Sequence, residues 1–282
     1  MILIEATDPE DWKRCLADPI HWKRGHSAAA LAYCWHDAQG FPACVSKVFK
    51  ESGHPLFEGL APLFSIPEYR VPLPGGASAS QNDLFVLAKS QGQLITIMVE
   101  GKVSDSFGPL VADWFKGPSP GRQERLAFLC NALRLDQKAV TGIRYQLLHR
   151  TASAVIEAKK FNALSALMLV HSFSQTMERF EDYAQFAALF SVDAKPDRVH
   201  FAGRVVGVDL YLAWVKGDAR FLEMGPDQAV KPVRGSGSES IEGVVTAREC
   251  KCCGHHETGI TTQGGKYVAL KPGMRVALRG AE

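Results

Sequence analysis

The spacing of apolar positions changes several times along the chain, and each change marks an element. Residues 27–35 (SAAALAYCW) combine strong helix formers with a leading Ser suited to the cap position, which predicts a helix. A basic aromatic stretch, His21-Trp22-Lys23-Arg24, leads into it. Residues 55–74 read as irregular, with a strand over 69–73 and a Pro-Gly-Gly stop at 74–76. The apolar run at 83–88, the polar KSQGQ at 89–93 and the β-branched LITIMV at 94–99 then form a hairpin signature. Helical spacing returns over 122–133, where Leu126, Leu129 and Leu133 share a face, and over 141–161. The apolar run at 163–171 reads as a buried strand. Residues 178–190 read as a helix with Phe180, Tyr183, Phe186 and Ala187 on one stripe. Residues 199–215 read as a hairpin turning near Val206-Gly207. This order predicts a mixed α/β fold, a sheet covered by helices.

A Gly/Ser-rich segment (RGSGSES) follows. It divides the chain into a domain over 1–232, a linker over 233–240 and a small β-rich Cys/His tail over 241–282. A unit as small as the tail usually needs a metal or a partner to hold it. With 46% apolar and 22% charged residues, the composition excludes a disordered chain, a collagen-like fibre and a simple coiled coil. Net charge is only +2, so a nucleic-acid partner would require a local basic site or a metal. No signal-peptide pattern opens the chain, and its apolar stretches fall short of the ~20 residues that span a bilayer. A cytoplasmic protein with no membrane partner is expected. Cys15, Cys34, Cys44 and Cys130 lie in apolar segments and read as buried free thiols, whereas Cys250, Cys252 and Cys253 cluster.

Placing the hairpin turn at Gln91-Gly92 sets Asp83 opposite Glu100 and Gln81 opposite Lys102. Side chains alternate faces, so Glu100 and Lys102 share one, with Thr96 and Met98 deeper on the same side. Two close, partly buried carboxylates repel each other unless a proton or a cation intervenes. A hard divalent ion, Mg²⁺ or Mn²⁺, neutralises them, and can activate water and polarise a phosphoryl oxygen. An adjacent ammonium can stabilise the charge that develops. Phosphodiester hydrolysis fits this set. The plainer reading is an exposed Glu100–Lys102 ion pair ending an ordinary strand.

The arrangement resembles the PD-(D/E)XK, or restriction-endonuclease-like, nuclease superfamily over roughly residues 25–190. Asp83 and Glu100-Gly101-Lys102 match its motif, although Asn82 stands where the motif has Pro. The acid-x-Lys tripeptide also occurs at Asp11, Asp136, Glu157, Asp193 and Glu249, but only Glu100 ends an apolar strand with an Asp opposite. The resemblance implies that Asp83 and Glu100 bind Mg²⁺ or Mn²⁺, with Glu68 a further carboxylate. It implies that Lys102 positions water and that Gln146 on the following helix points to the metal. DNA is implied before RNA, and by analogy a role in mobile-element or phage defence. Arg144 and Arg150 on that helix, and Lys23 and Arg24 before the first one, are candidate phosphate contacts. The plainer reading of His21–His26 is a loop with Trp22 packed on the core.

In the tail, Cys250-x-x-Cys253-Gly has the knuckle spacing of half a zinc ribbon, with His255 or His256 able to complete a Zn²⁺ site. A reduced thiol cluster on a turn is the alternative. Two functions stay open. One is a metal-dependent nuclease. The other is an inactive nuclease-fold protein that binds nucleic acid or assembles, as a homo-oligomer or through its tail.

Overall fold

The structure, a computed structural model, describes residues 8–16, 19–38 and 40–225, together with the backbone of 243–249, 256–262 and 267–269. The chain divides into two compact units, Met1–Gln228 and Ala229–Glu282. In the larger unit the principal elements run α1 (Ser27–Asp37), α2 (Ala43–Glu51), β1 (Ala61–Val71), β2 (Ser80–Ser90) and β3 (Gln93–Lys102). They continue with α3 (Val111–Trp114), α4 (Pro120–Leu133), α5 (Tyr145–Lys160), β4 (Ser165–Ser172), α6 (Phe180–Ala188), β5 (Arg198–Val205) and β6 (Val208–Lys216). The strands form one mixed six-stranded sheet in the order β1-β2-β3-β4-β6-β5, parallel where β4 meets β3 and β6 and antiparallel elsewhere.

Each face of the sheet is buried. On one face Phe85, Met98, Met168 and Trp214 pack with Leu129 of α4, Leu147 of α5 and Tyr183 of α6. On the other, Leu84, Ile97 and Leu169 pack with Leu31 and Trp35 of α1 and Val48 and Phe49 of α2. A strand covered on both sides has no polar face to alternate with. That is why LITIMV and ALSALMLVH read as unbroken apolar runs. The β2–β3 turn is Gln91-Gly92 as expected, with φ +48° and +85°, the pair of left-handed residues that a two-residue hairpin of this twist requires. Leu84 pairs with Val99, so the expected register holds there.

Several boundaries differ from the sequence reading. The residue capping α1 is His26; Ser27 is already helical and its hydroxyl caps nothing. The irregular stretch over 55–74 contains most of β1, which starts at Ala61. Pro62 and Pro67 disguise it, and they are tolerated because β1 is an edge strand. Helix α2 went unseen, although Val45, Val48 and Phe49 are buried at helical spacing. Helix α5 starts at Tyr145, not 141, because Arg144 is extended and bridges Leu110. Cys34 and Cys130 are buried free thiols, but Cys15 and Cys44 are only partly covered. Among the described residues no helix is long and apolar enough to cross a membrane.

The smaller unit carries a three-stranded antiparallel sheet, β7 (Gly243–Glu249), β8 (His256–Thr262) and β9 (Tyr267–Ala269). The expected linker, Cys250, Cys253, His255 and the His256 side chain lie outside the described residues.

Helix α4 approaches the Pro74-Gly75-Gly76 turn so closely that a Cβ on Gly75, at φ +80°, would strike the Gly121 carbonyl oxygen. Arg125 ties the same turn down by donating to the carbonyls of Leu73, Pro74 and Gly76. Gly92 has the same backbone handedness but open space around it. Gly92→Ala is expected to lose only the conformational cost, about 1 kcal/mol. Gly75→Ala is expected to lose at least twice that, about 2–3 kcal/mol, because backbone must move as well. Urea denaturation of the two variants beside the parent checks the order.

Candidate functional site

The site is built where β2 and β3 part company. Among the described residues their ladder ends at Leu84–Val99. Beyond it β2 stays with β1 to Ser80, and β3 stays with β4 to Lys102. Into this fork project Asp83, Glu100 and Lys102, on the face that α5 covers. The Asp83 carboxylate spans the gap by accepting the Gly101 backbone N–H at 2.8 Å. Gln81 does not face Lys102 as the register suggested. It pairs with Arg70 in β1, and its side chain donates to Glu68 at 2.6 Å.

A cavity of about 470 Å³ opens above the fork. Glu68, Asp83, Glu100, Lys102, Gln146 and Arg150 all line it, so one space gathers the candidates from two strands, an edge residue and a helix face. Lys102 Nζ donates to Glu100 Oε1 at 2.7 Å and reaches Asp105 at 3.4 Å. Arg150 Nε donates to Glu100 Oε2 at 2.6 Å, and its guanidinium lies 3.8 Å from Asp83 Oδ1. Glu100, Lys102 and Arg150 are nearly sealed from solvent, whereas Asp83 is partly open to the cavity. Behind Arg150, Ser80 Oγ accepts from the guanidinium at 3.4 Å and meets His149 Nδ1 at 2.7 Å. Burial, then Arg150 and Arg125, hold the His149 imidazole well below its usual range and therefore neutral.

Glu68 sits between the pairs Pro67–Leu84 and Tyr69–Asn82, level with Asp83. Its backbone is left-handed, φ +52°, an unfavourable conformation for a non-glycine residue. The departure from regular strand geometry accompanies a carboxylate turned into the cavity.

Charge in the site is unbalanced. Glu68, Asp83 and Glu100 face Lys102 and Arg150, before Asp105 is counted. Glu100 takes most of the compensation: burial opposes its ionisation, but Arg150 and Lys102 together hold its carboxyl below the usual range. Burial also works against the Lys102 ammonium, and Glu100 with Asp83 overcomes it. Asp83 is pushed well above the carboxylate range, by burial first and then by Glu100 and Glu68. Burial raises Glu68 to about 7 despite its hydrogen bond from Gln81. Among the described residues the Gln146 Oε1 atom is buried without a hydrogen-bond partner. Surplus acid and an orphaned carbonyl oxygen together are the donor chemistry of a hard divalent cation.

The other nucleic-acid candidates lie elsewhere. Arg144 is the cap of α5 and is held by Asp182 at 3.0 Å and by the Gly108 carbonyl. Lys23 and Arg24 are not in the cavity wall, and Trp22 is buried with its indole N–H on Glu10, so its ring is not open for a base to stack on. Their neighbours His21 and His26 line the cavity instead, a placement that nothing in their spacing announced. Arg150, read from sequence as a phosphate contact, is committed to the carboxylates.

Residues 5–219 match the model of a domain of unknown function, DUF6946. No curated protein matches the chain, and no solved structure does.

A carboxyl raised on folding contributes stability below its unfolded pKa, and that stability is lost as pH climbs toward its folded value. For Glu68 the window runs from its ordinary 4.5 to about 7. Glu68→Gln keeps an acceptor for Gln81 and removes the charge. In EDTA the variant is expected to match the parent near pH 4.5 and to exceed it by about 1–3 kcal/mol at pH 8. Denaturant titration at the two pH values measures this.

Proposed function

The chain belongs to the DUF6946 family, and we propose that it is a divalent-metal-dependent nuclease that hydrolyses phosphodiester bonds, with DNA the first substrate class. The observation that carries this reading is the convergence of Asp83, Glu100, Lys102 and Gln146 in one cavity, with carboxylate in excess and the Gln146 oxygen unpaired. Asp83, Gln146 and Glu68 are the oxygen donors facing that space, with Glu100 beside them. When bound, Mg²⁺ or Mn²⁺ would supply Lewis-acid polarisation of the phosphoryl group and a more acidic water.

The chain's own groups do the rest. Crowding favours the protonated forms of Asp83 and Glu68, and both must ionise to act as ligands, so cation binding would release protons. Lys102 presents a permanently charged ammonium, anchored by Glu100, toward which the pentavalent phosphorane's negative charge can develop. Arg150 keeps Glu100 ionised and fixed in direction. Water attacks phosphorus, the ester P–O bond breaks, and the leaving oxygen takes a proton. The preference for DNA rests on the superfamily resemblance alone.

One observation favours the second reading, an inactive scaffold that binds rather than cuts. The Arg150 guanidinium already bridges toward both Glu100 and Asp83, and so supplies an internal cation in the place of an external one.

Asp83→Asn decides between them, because it removes a metal donor while relieving charge crowding. On the nuclease reading, Mn²⁺ raises the melting temperature of the parent and not of the variant. Plasmid or single-stranded cleavage by the parent is then expected to fall by about 100-fold or more in Asp83→Asn and in Lys102→Met. Cleavage that survives both substitutions would refute the site. A folded parent that neither binds Mn²⁺ nor cuts any nucleic acid would establish the scaffold.

A further inference from the structure

On the opposite face of the sheet, directly behind Gly101, lies a second cluster that the proposed chemistry does not use. His171 on β4 pairs with Gly101 on β3. Its ring meets Cys44 on α2, and the sulfur and nitrogen atoms of Cys34, Cys44 and His171 all lie within 4.8 Å of one another. Cys34 comes from α1 and is buried; Cys44 is partly open.

Such a trio invites a soft metal, but the hydrogen bonding argues otherwise. The Trp35 indole N–H donates to His171 Nδ1 at 3.0 Å. An indole nitrogen only donates, so Nδ1 must carry the lone pair. The proton of the neutral ring is then on Nε2, which lies 3.3 Å from Cys44 Sγ and donates to it. A metal-binding histidine needs the reverse, with its outer nitrogen donating and its inner one free. His171 is therefore set to support a thiolate, not a cation.

The geometry around the Cys44 sulfur is a donor and a second thiol: His171 Nε2–H at 3.3 Å and Cys34 Sγ within 4.8 Å, with Cys44 itself in the first turn of α2. We propose that Cys44 is a nucleophilic thiolate and Cys34 its resolving thiol, a pair that hydroperoxides oxidise to a disulfide joining α1 to α2. The neighbouring Cys34 thiol first, and then His171, draw the Cys44 thiol down to about 5 against its burial, and Cys44 with burial raises the Cys34 thiol, on which Arg220 and Asp218 also act. The Cys44 sulfur attacks the terminal peroxide oxygen; the O–O bond breaks, and the departing alkoxide takes a proton from water, leaving Cys44 as a sulfenic acid. The Cys34 sulfur then attacks the Cys44 sulfur. The S–O bond breaks, and hydroxide leaves with the Cys34 proton as water. Two thiols have given two electrons to one peroxide. Residue exposure sets the roles: Cys44, the less buried of the two, meets the oxidant, and the buried Cys34 resolves it.

The test uses the full chain. After limited hydrogen peroxide, non-reducing peptide mapping is expected to yield a Cys34–Cys44 linked peptide. Cys34→Ser is expected to leave a Cys44 sulfenic acid that dimedone traps, and Cys44→Ser to give neither product. Separately, iodoacetamide labelling of Cys44 in the parent is expected to change less than about twofold between pH 7 and 9, whereas an ordinary thiol rises about 20-fold. Absence of the linked peptide, or labelling of Cys44 that climbs like an ordinary thiol, overturns the proposal. Neither parent measurement depends on a variant's folding.

Discussion

The larger unit is organised around one sealed carboxylate. Glu100 is buried at the end of β3, and each of its oxygens is held by a cation, Lys102 from its own strand and Arg150 from α5. A buried ion left without its partner costs about 3–5 kcal/mol. Strand end and helix are therefore bound to each other by charge as well as by apolar packing. The same clamp fixes where the remaining acids must sit: Asp83 and Glu68 crowd the outside of a group already neutralised, and inherit the unfavourable share of the charge. That crowding is a local cost to the fold, concentrated at the open end of the site.

The fork in the sheet makes room for that arrangement. If β2 and β3 remained laddered to their ends, backbone would occupy the cavity floor and Gly101 N–H would bond a carbonyl rather than Asp83. Parting at Leu84–Val99 releases those groups while each strand keeps its outer neighbour, so rigidity is retained on both sides of the gap. Helix α5 then crosses the opening with Gln146 and Arg150 one turn apart, both on the face toward it.

Much of this was legible in the chain. The turn at Gln91-Gly92 and two apolar runs suffice to set the hairpin register, because a one-residue slip would move every side chain to the wrong face. The four-residue spacing of Gln146 and Arg150 indicated a common face. What stayed hidden depends on partners remote in sequence. Arg150 and Arg144 look alike on a helix, and only tertiary structure commits the first to Glu100 and the second to Asp182. Proline disguised β1 because the rule against proline in strands relaxes at an edge. Helix α2 is short, and its buried face amounts to only Val45, Val48 and Phe49. His21 and His26 reach the cavity through a loop, where no periodicity operates. The tryptophan that fixes the tautomer of His171 lies far from it in the chain, and no local pattern links them.

Gly101 is a contact point between α1 and β3. Having no side chain, it lets α1 rest against the back of the strand whose front carries Glu100 and Lys102; a Cβ there would already touch Leu31 and the Ser27 carbonyl at 3.4 Å. His26, which precedes that helix, stands at the rim of the cavity on the other side. Rim and floor are thus joined through α1, capped at one and packed on the other. Whatever meets the imidazole at the entrance meets the residue that caps the helix seated behind the charged tripeptide, and a methyl group at that seat would come into contact with Leu31 of the same helix.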